Sequence, residues 1–292
     1  MNWRKLRNAV LLGAAAVSAS LEAPRLRQSS LGAAAAQLGD VPGAIASSVQ
    51  SVAETITSSY LGFDTNVYPG DKAMAAWRES GEYSWVGYYL PAPCHKDDSW
   101  AGKRETLSQQ GWGLAVIYVG QQTWSGKRTH RRKNTTCSKS FVTASHGKAE
   151  AKEAVAETAR EGFPKGTVIF LDVEYMDNLT PAMRSYYKTW AEGVLADGRF
   201  RPGIYAHTHN ASAIYKDVKQ VYTDRGIGGD PPFWVAGKGD FDPDAPPDPS
   251  GVGHAFADVW QGMLDVVRTH NGVRIPIDIS SASMSSPSIP TN

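Results

Sequence analysis

The sequence predicts a single α/β domain built as an irregular (β/α)8 barrel. Eight short apolar runs recur between Tyr60 and Ser280, and helix-like or loop segments separate them. The run Val168–Met176 is apolar on both faces, as expected of a parallel strand that is covered on each side. Eight alternating units favour closure into a barrel. Because the helices are uneven and the last units are short, we expect irregularity; an open sheet of six or seven strands is the alternative.

The globular part begins at about Tyr60, where the first apolar run starts. Each run is short enough for one strand, and turn-rich or charged residues bound it. In chain order, the candidate strands are Tyr60–Thr65, Trp85–Leu90, Leu114–Val119, Val168–Glu174, Pro202–Ala206, Phe233–Ala236, Asp258–Gln261 and Ile275–Ser280.

Residues that typically begin or end helices predict three helices between these strands. Thr180 followed by Pro181 is typical of a helix start, and Asp197-Gly198 ends that helix. Ser145 is the predicted N-cap of a helix rich in Ala and Glu, which ends at Gly162. A third helix is predicted over Ala211–Tyr222.

The ends of the chain differ from the barrel segment, which we place at residues 59–284. Residues 1–19 join a basic start to a short apolar run, which is typical of a secretory signal and too short for a membrane span. A transit-type presequence is the alternative, since no acidic residue precedes Glu22. Residues 20–58, rich in Ala, Ser and Gln, are predicted to be a linker or loose helix, and 285–292 a disordered tail.

Charge and cysteine content narrow the function classes. The net charge is +1, so the overall electrostatic footprint of a nucleic-acid-binding protein is absent. Cys94 and Cys137 are the only cysteines, too few for a zinc site. In a secreted protein they could pair and stabilise the fold by about 4 kcal/mol on a chain-entropy model, or they could remain thiols.

Carboxylates follow the ends of three predicted strands. Asp172 and Glu174 emerge on one face of the fourth strand, because side chains alternate along a strand. Asp64 ends the first strand, and Asp278 lies in the last strand. The first and last strands are neighbours in a closed barrel, so these acids should converge at its carboxyl edge. Close carboxyl groups with unequal proton affinities suit acid-catalysed glycoside cleavage.

Other polar and aromatic residues near strand ends are candidates for substrate binding, with core packing as the alternative for each ring. His207 and His209 could bind substrate, but no third ligand is near them in sequence, so we expect no metal site. The substrate-binding candidates are Tyr89, Tyr118, Tyr205, His207, Trp234, Trp260 and Gln261.

An ordered set of motifs resembles glycoside hydrolase family 25, the lysozyme-like muramidases, and still more their relatives in the glycoside-hydrolase-like domain of unknown function 1906. The resemblance extends from about Tyr60 to Ser280. The motifs are Gly62-Phe-Asp-Thr65, Leu171-Asp-Val-Glu174, Gly203-Ile-Tyr205, Phe233-Trp-Val-Ala236, Val259-Trp-Gln261 and Ile277-Asp-Ile-Ser280.

The resemblance implies an irregular TIM-type barrel that acts on cell-wall glycan without a metal or organic cofactor. It assigns Glu174 as the proton donor and places Asp64, Asp172 and Asp278 at the family's other acidic positions. The chain departs from the muramidases at its second strand, which lacks their Glu, and in long inserts at 94–142 and 237–256.

Three functions remain open at this stage. The first is a secreted or periplasmic, cell-envelope glycoside hydrolase, monomeric and without a transmembrane span, with a peptidoglycan-like polysaccharide or oligosaccharide as partner. The second is a non-catalytic glycan-binding module of the cell envelope. The third concerns the basic stretch Lys127–Lys133, which could grip a polyanion or be a solvated loop.

Overall fold

A computed structural model describes residues 59–123, 136–237 and 239–290 of the chain. The predicted signal segment 1–19, the predicted linker 20–58 and the basic stretch Lys127–Lys133 lie outside the described residues. None of the helices in the described ranges is long and apolar enough to cross a membrane.

Within the described residues, eight strands close into one barrel and follow one another around it in chain order. The predicted irregular (β/α)8 barrel is therefore confirmed, and the open-sheet alternative is wrong. The strands are β1 Tyr60–Asp64, β2 Trp85–Tyr89, β3 Gly113–Tyr118, β4 Val168–Val173, β5 Arg201–His207, β6 Phe233–Ala236, β7 Val259–His270 and β8 Val273–Ala282.

The last strand makes the barrel irregular. Strands β1 to β7 run parallel to their neighbours, whereas β8 is antiparallel to both β7 and β1. A tight turn at Asn271-Gly272 joins β7 to β8, and both residues have positive φ, of 47° and 78°. Asn-Gly is the preferred pair for such a two-residue hairpin turn. A hairpin thus occupies the place where a regular barrel has a crossover helix.

Five α-helices lie among the described residues: α1 Asp71–Ser80, α2 Arg104–Gln109, α3 Ala144–Arg160, α4 Pro181–Asp197 and α5 Thr208–Asp224. Helix α4 begins as predicted, because the Thr180 side chain accepts a hydrogen bond from the Met183 amide at 3.2 Å. The predicted cap of α3 is wrong by two residues, since Thr143 rather than Ser145 accepts from the His146 amide.

Two parts of the outer layer replace missing helices. Beyond the barrel, the β7–β8 hairpin packs on α1, where the Trp77 indole donates to the Val273 carbonyl at 2.9 Å. The connection from β6 to β7 packs on α5 through the rings of Phe256 and Tyr215, which stack with centroids 4.0 Å apart. The hairpin and the β6–β7 connection thus each cover one helix of the outer layer.

The C-terminal segment fills a gap in the barrel wall. Strands β3 and β4 pair only where Val116–Tyr118 faces Ile169–Leu171. Below that point Ser288 bridges them: its amide donates to the Leu114 carbonyl at 2.9 Å, and its carbonyl accepts from the Val168 amide at 2.8 Å. The prediction of a disordered tail from residue 285 is therefore wrong in its described part. The separated strand edges need hydrogen-bond partners, and Ser288 supplies them.

The barrel interior is filled below its mouth. The indole of Trp85 occupies the space beside Gly62, and it meets Trp234 edge to face with centroids 5.4 Å apart. Both tryptophans are fully buried. A packed interior confines any substrate to the carboxyl edge of the strands.

Cys94 and Cys137 form a disulfide, with Cα atoms 4.9 Å apart. Of the two alternatives left open by the sequence, pairing is thus the one observed. The bridge ties the segment after β2 to the residues that lead into α3.

A methyl group at Gly113 should destabilise the fold. A Cβ at this position would collide with the Ser285 carbonyl oxygen, in a segment held by the hydrogen bonds of Ser288. We expect Gly113→Ala to lower the free energy of unfolding in urea by about 1–3 kcal/mol, as overpacking does. Gly228→Ala is the control, since a Cβ there meets nothing within 4 Å. Equal losses of stability in the two variants would contradict this account of the C-terminal segment.

Candidate functional site

The candidate site lies at the mouth of the barrel, where the strands deliver four carboxyl groups. Asp64 is the last residue of β1, and Asp172 lies near the end of β4, directly before Val173 and Glu174. Asp278 of β8 is the register partner of Asp64. Because β8 is antiparallel, Asp278 reaches the mouth from the middle of its strand and not from a carboxyl end.

Tyr205 of β5 is the common neighbour of these acids. Its pKa is raised well above the ordinary tyrosine value by burial and then by the negative charges of Glu174, Asp172, Asp64 and Asp278. The geometry agrees, because Tyr205 is the register partner of Asp172 and is linked through Gln261 to Asp64. Asp64 is in turn the register partner of Asp278. The acids named from the sequence are thus brought together in space.

A chain of hydrogen bonds crosses the floor of this cluster. The Tyr205 hydroxyl donates to Gln261 Oε1 at 2.7 Å, and Gln261 Nε2 donates to Asp64 Oδ1 at 2.7 Å. The Tyr89 hydroxyl donates to the other oxygen, Asp64 Oδ2, at 2.6 Å. Donors on both oxygens hold the Asp64 carboxyl group in one orientation.

Tyr89 of β2 lies close to three of the same acids. Burial raises its pKa well above the ordinary value, followed by the charge of Asp64, the hydrogen bond to it, and the charges of Asp172 and Asp278. Its ring stacks on His95, with centroids 4.6 Å apart. The second strand therefore brings a neutral donor to the mouth.

A bulge in β7 supplies a donor for the fourth acid. The register of β7 against β8 shifts between Gln261 and Val266, and Asp265 within the bulge has φ of 54°. This backbone conformation directs the Asp265 amide to Asp278 Oδ1 at 2.6 Å. Bulges commonly redirect backbone groups in this way next to active sites.

Aromatic and imidazole rings line the rim beside Glu174. The ring of Tyr175 meets His207 edge to face, with centroids 5.0 Å apart, and contacts His209 at 5.4 Å. His207 Nδ1 accepts from the His209 amide at 3.1 Å and so caps α5. Burial and the neighbouring His209 lower the pKa of His207, which favours its neutral form at pH 7.

Three of the predicted substrate-binding residues lie away from the surface of the mouth. Tyr118 is fully buried outside the barrel wall, where it stacks on Trp190 of α4. Trp260 packs on the outer side against Gly237. The predictions that Tyr118 and Trp260 bind substrate are wrong. Side chains alternate along a strand, and the residue next to each of these two faces inward, so the ring itself faces outward. Trp234 does face inward, but it lies fully buried beneath Tyr205 with centroids 5.5 Å apart.

Gln261, predicted to bind substrate, faces the mouth, but both ends of its amide already bind protein groups. Its partners Asp64 and Tyr205 make it a support for the acid cluster. Three contributors to the site were not predicted from the sequence: Gln122, which is fully buried beside Asp172, the Asp265 amide, and the ring of Tyr175. An Asn-Gly turn signals the hairpin that carries Asp265, whereas no sequence signal marks Gln122.

No group of three or more His, Cys, Asp or Glu residues in the described ranges has an arrangement that could hold a metal ion. Asp64 accepts from tyrosine and glutamine side chains, and Asp278 accepts from a backbone amide. Their arrangement supports proton transfer and stabilisation of positive charge on a bound substrate.

Comparison with known families gives one match. The family described as "Rv2525c-like, glycoside hydrolase-like domain" matches residues 75–281, well over half of the chain. This match confirms the glycoside-hydrolase-like resemblance drawn from the ordered motifs. A comparison with curated protein sequences finds no match.

Solved structures share the fold at low sequence identity. An uncharacterized B. stearothermophilus protein is similar with a TM-score of 0.50 and 19% identity, over 76% of this chain and 95% of that one. The Clostridium perfringens spore cortex lytic enzyme SleM gives 0.52 and 14%, over 78% and 68% of the two chains. The modular autolysin LytC of Streptococcus pneumoniae gives 0.50 and 12%, over 76% and 46%.

The raised pKa of Tyr205 should make the fold sensitive to alkali. A tyrosine whose pKa is raised on folding contributes stability below its unfolded pKa of about 10, and this contribution is lost as the pH rises further. We expect Tyr205→Phe to make the fall in unfolding free energy above pH 10 shallower, by up to about 1.4 kcal/mol per pH unit. Urea titrations between pH 8 and 11 measure this slope.

The control for this prediction is Tyr60→Phe at the opposite end of the barrel, where β1 begins. Parallel pH curves for wild type and Tyr205→Phe would contradict the electrostatic description of the cluster.

Proposed function

The chain belongs to the family of Rv2525c-like, glycoside hydrolase-like domains, and on this premise we propose that it is a secreted glycoside hydrolase that cleaves a cell-wall glycan of the peptidoglycan type. The observation that carries the proposal is the group of four carboxylates around Tyr205 at the barrel mouth. A glycosidase needs two carboxyl groups with different proton affinities on either side of one glycosidic bond.

Exposure separates the role of Glu174 from that of the other acids. Asp64, Asp172 and Asp278 are 6%, 8% and 9% exposed, whereas Glu174 is partly open to solvent. In this proposal Glu174 is the proton donor, because it is the acid that a polymer entering the mouth reaches first. Its proton passes to the glycosidic oxygen as the bond from that oxygen to the anomeric carbon breaks.

The buried acids act on the positive charge that this cleavage creates. Asp64 is held in one orientation by Tyr89 and Gln261, so it is suited to stabilise an oxocarbenium-like centre without reorganising. Asp278, fixed by the Asp265 amide, accepts a proton from the attacking water in this scheme. Asp172 holds the geometry of the pair that it forms with Glu174 at the end of β4. The separation of the acting carboxyl groups decides between retention and inversion.

The substrate class rests on the family description and on the ordered motifs. Two solved structures that share the fold are described as a spore cortex lytic enzyme and an autolysin. A glycan with exposed apolar ring faces also suits the rim formed by Tyr175, His207 and Tyr205, where aromatic and polar groups alternate.

Export is supported by the disulfide and by the composition of residues 1–19. Structural disulfides persist in oxidising compartments such as the bacterial periplasm or the extracellular space. The basic and apolar composition of residues 1–19 fits the same route. We therefore propose that the protein acts outside the cytoplasm, at or near the cell envelope.

A second candidate is a glycan-binding module without turnover. It is favoured by the end of β2, where Tyr89 stands at the mouth and the muramidase pattern has an acid. Binding of glycan fragments without any release of reducing ends between pH 4 and 8 would support this candidate over the hydrolase.

Replacing the proposed proton donor tests the main proposal. We expect Glu174→Gln to reduce the release of reducing ends from purified peptidoglycan by about 10²–10⁴-fold, because the amide cannot protonate the leaving oxygen. Glu79→Gln is the matched control, since Glu79 is an exposed residue of α1 away from the acid cluster. Equal release by wild type and Glu174→Gln would remove Glu174 from the mechanism.

A further inference from the structure

The segment that carries Asp172 and Glu174 is paired further along the chain with the strand on one side than with the strand on the other. Toward β5, strand β4 is paired as far as Val173, which faces Ala206. Toward β3, the ladder ends two residues earlier, at the pair of Tyr118 and Leu171. The residues Asp172 to Glu174 therefore extend beyond the reach of β3 backbone groups.

The chain after β3 has to turn away at this point. Gly120 passes directly against the Tyr186 hydroxyl, where a side chain would collide, and its amide donates back to the Tyr118 carbonyl at 3.1 Å. The next amide, that of Gln121, donates to the Tyr186 hydroxyl at 2.9 Å. This turn takes the β3 backbone toward α4 and away from β4.

The side chain of Gln122 occupies the position that the departing strand leaves. Its Nε2 donates to the Asp172 carbonyl at 2.8 Å, and its Oε1 accepts from the Glu174 amide at 3.2 Å. In a parallel ladder, the N–H and C=O of one residue bond in this way to the residues on either side of its partner. The Gln122 amide thus imitates one further residue of β3, placed opposite Val173.

This imitation has a consequence for the two carboxyl groups. Asp172 and Glu174 share a face only while the backbone between them stays extended, because side chains alternate in that conformation alone. A rotation at Val173 would send Glu174 toward the rim and away from Asp172. Two hydrogen bonds from one fully buried side chain restrain that rotation.

The position of Gln122 is itself fixed by its neighbour. Gln121 is buried, and its Nε2 donates to Glu150 Oε1 at 2.8 Å, while its Oε1 accepts from the Ser138 amide at 2.9 Å. Glu150 also accepts from the Tyr186 hydroxyl. The turn is therefore anchored to α3 and α4, so the Gln122 side chain extends from a rigid support.

We propose that Gln122 is a positioning residue that replaces the missing end of β3 and holds Glu174 in its orientation for proton donation. Its effect on turnover rests on the proposed glycosidase function, whereas its effect on the backbone does not. The two effects are measured separately.

The variant Gln122→Met keeps the length of the side chain and removes both hydrogen bonds. We expect the Glu174 amide to exchange with deuterium at least about tenfold faster in this variant, as loss of its acceptor requires. For peptidoglycan cleavage, we expect kcat to fall by about 10- to 100-fold with KM changed less than about threefold, because misplacement of the acid affects the transition state.

Thr158→Val is the control, since it keeps the shape of a fully buried side chain and removes only its hydrogen bond to the Ala154 carbonyl within α3, away from Gln122 and Glu174. It should lower the melting temperature but leave exchange at Glu174 unchanged. Unchanged exchange of the Glu174 amide in Gln122→Met would overturn the proposal, as would equal acceleration in both variants. If the wild type releases no reducing ends, the proposed function fails, and the exchange rates alone decide whether Gln122 holds the strand.

Discussion

The antiparallel pairing of β8 with β1 is the interaction on which the rest of this structure depends. It closes the barrel, and it sets Asp278 opposite Asp64 in register. A parallel eighth strand would have carried its acid to the mouth only at its carboxyl end. The reversed direction also allows β7 and β8 to continue outward as a hairpin, whose bulge provides the amide that binds Asp278.

Several negative charges in one mouth repel one another, and the surrounding groups offset that repulsion. Tyr89 and Gln261 donate to Asp64, and the Asp265 amide donates to Asp278. These donors are neutral, so they stabilise carboxylates without cancelling the field that a developing positive charge would feel. The cluster is therefore arranged to stabilise a cationic transition state better than a neutral ground state.

Strand positions and the acid cluster could be predicted from the sequence because both depend on local patterns and on one closure rule. The motif Leu171–Glu174 shows period-two alternation, and the neighbourhood of the first and last strands follows from closing the barrel. Alternation also explains the errors. Tyr118 and Trp260 lie near strand ends, but each faces outward because its neighbour faces inward.

Other parts of the site depend on contacts that no local pattern encodes. Gln122 lies 50 positions before Asp172, and its role arises only because β3 stops short of β4. The hairpin was predictable in principle from Asn271-Gly272, but the direction of β8 could not be read from its apolar run alone. The filling of the barrel wall by Ser288 likewise rests on a contact that spans 172 positions of sequence.

The contact of Ser288 with β3 and β4 has a consequence for the order in which the molecule is made. A ribosome releases β3 and β4 before Ser288 leaves the exit tunnel, so the part of their edges that Ser288 bridges lacks these hydrogen bonds until then. Exposed strand edges readily pair with other chains. A newly made chain thus completes this part of its barrel wall only after Ser288 has been translated, and until then these edges are open to pairing with other chains.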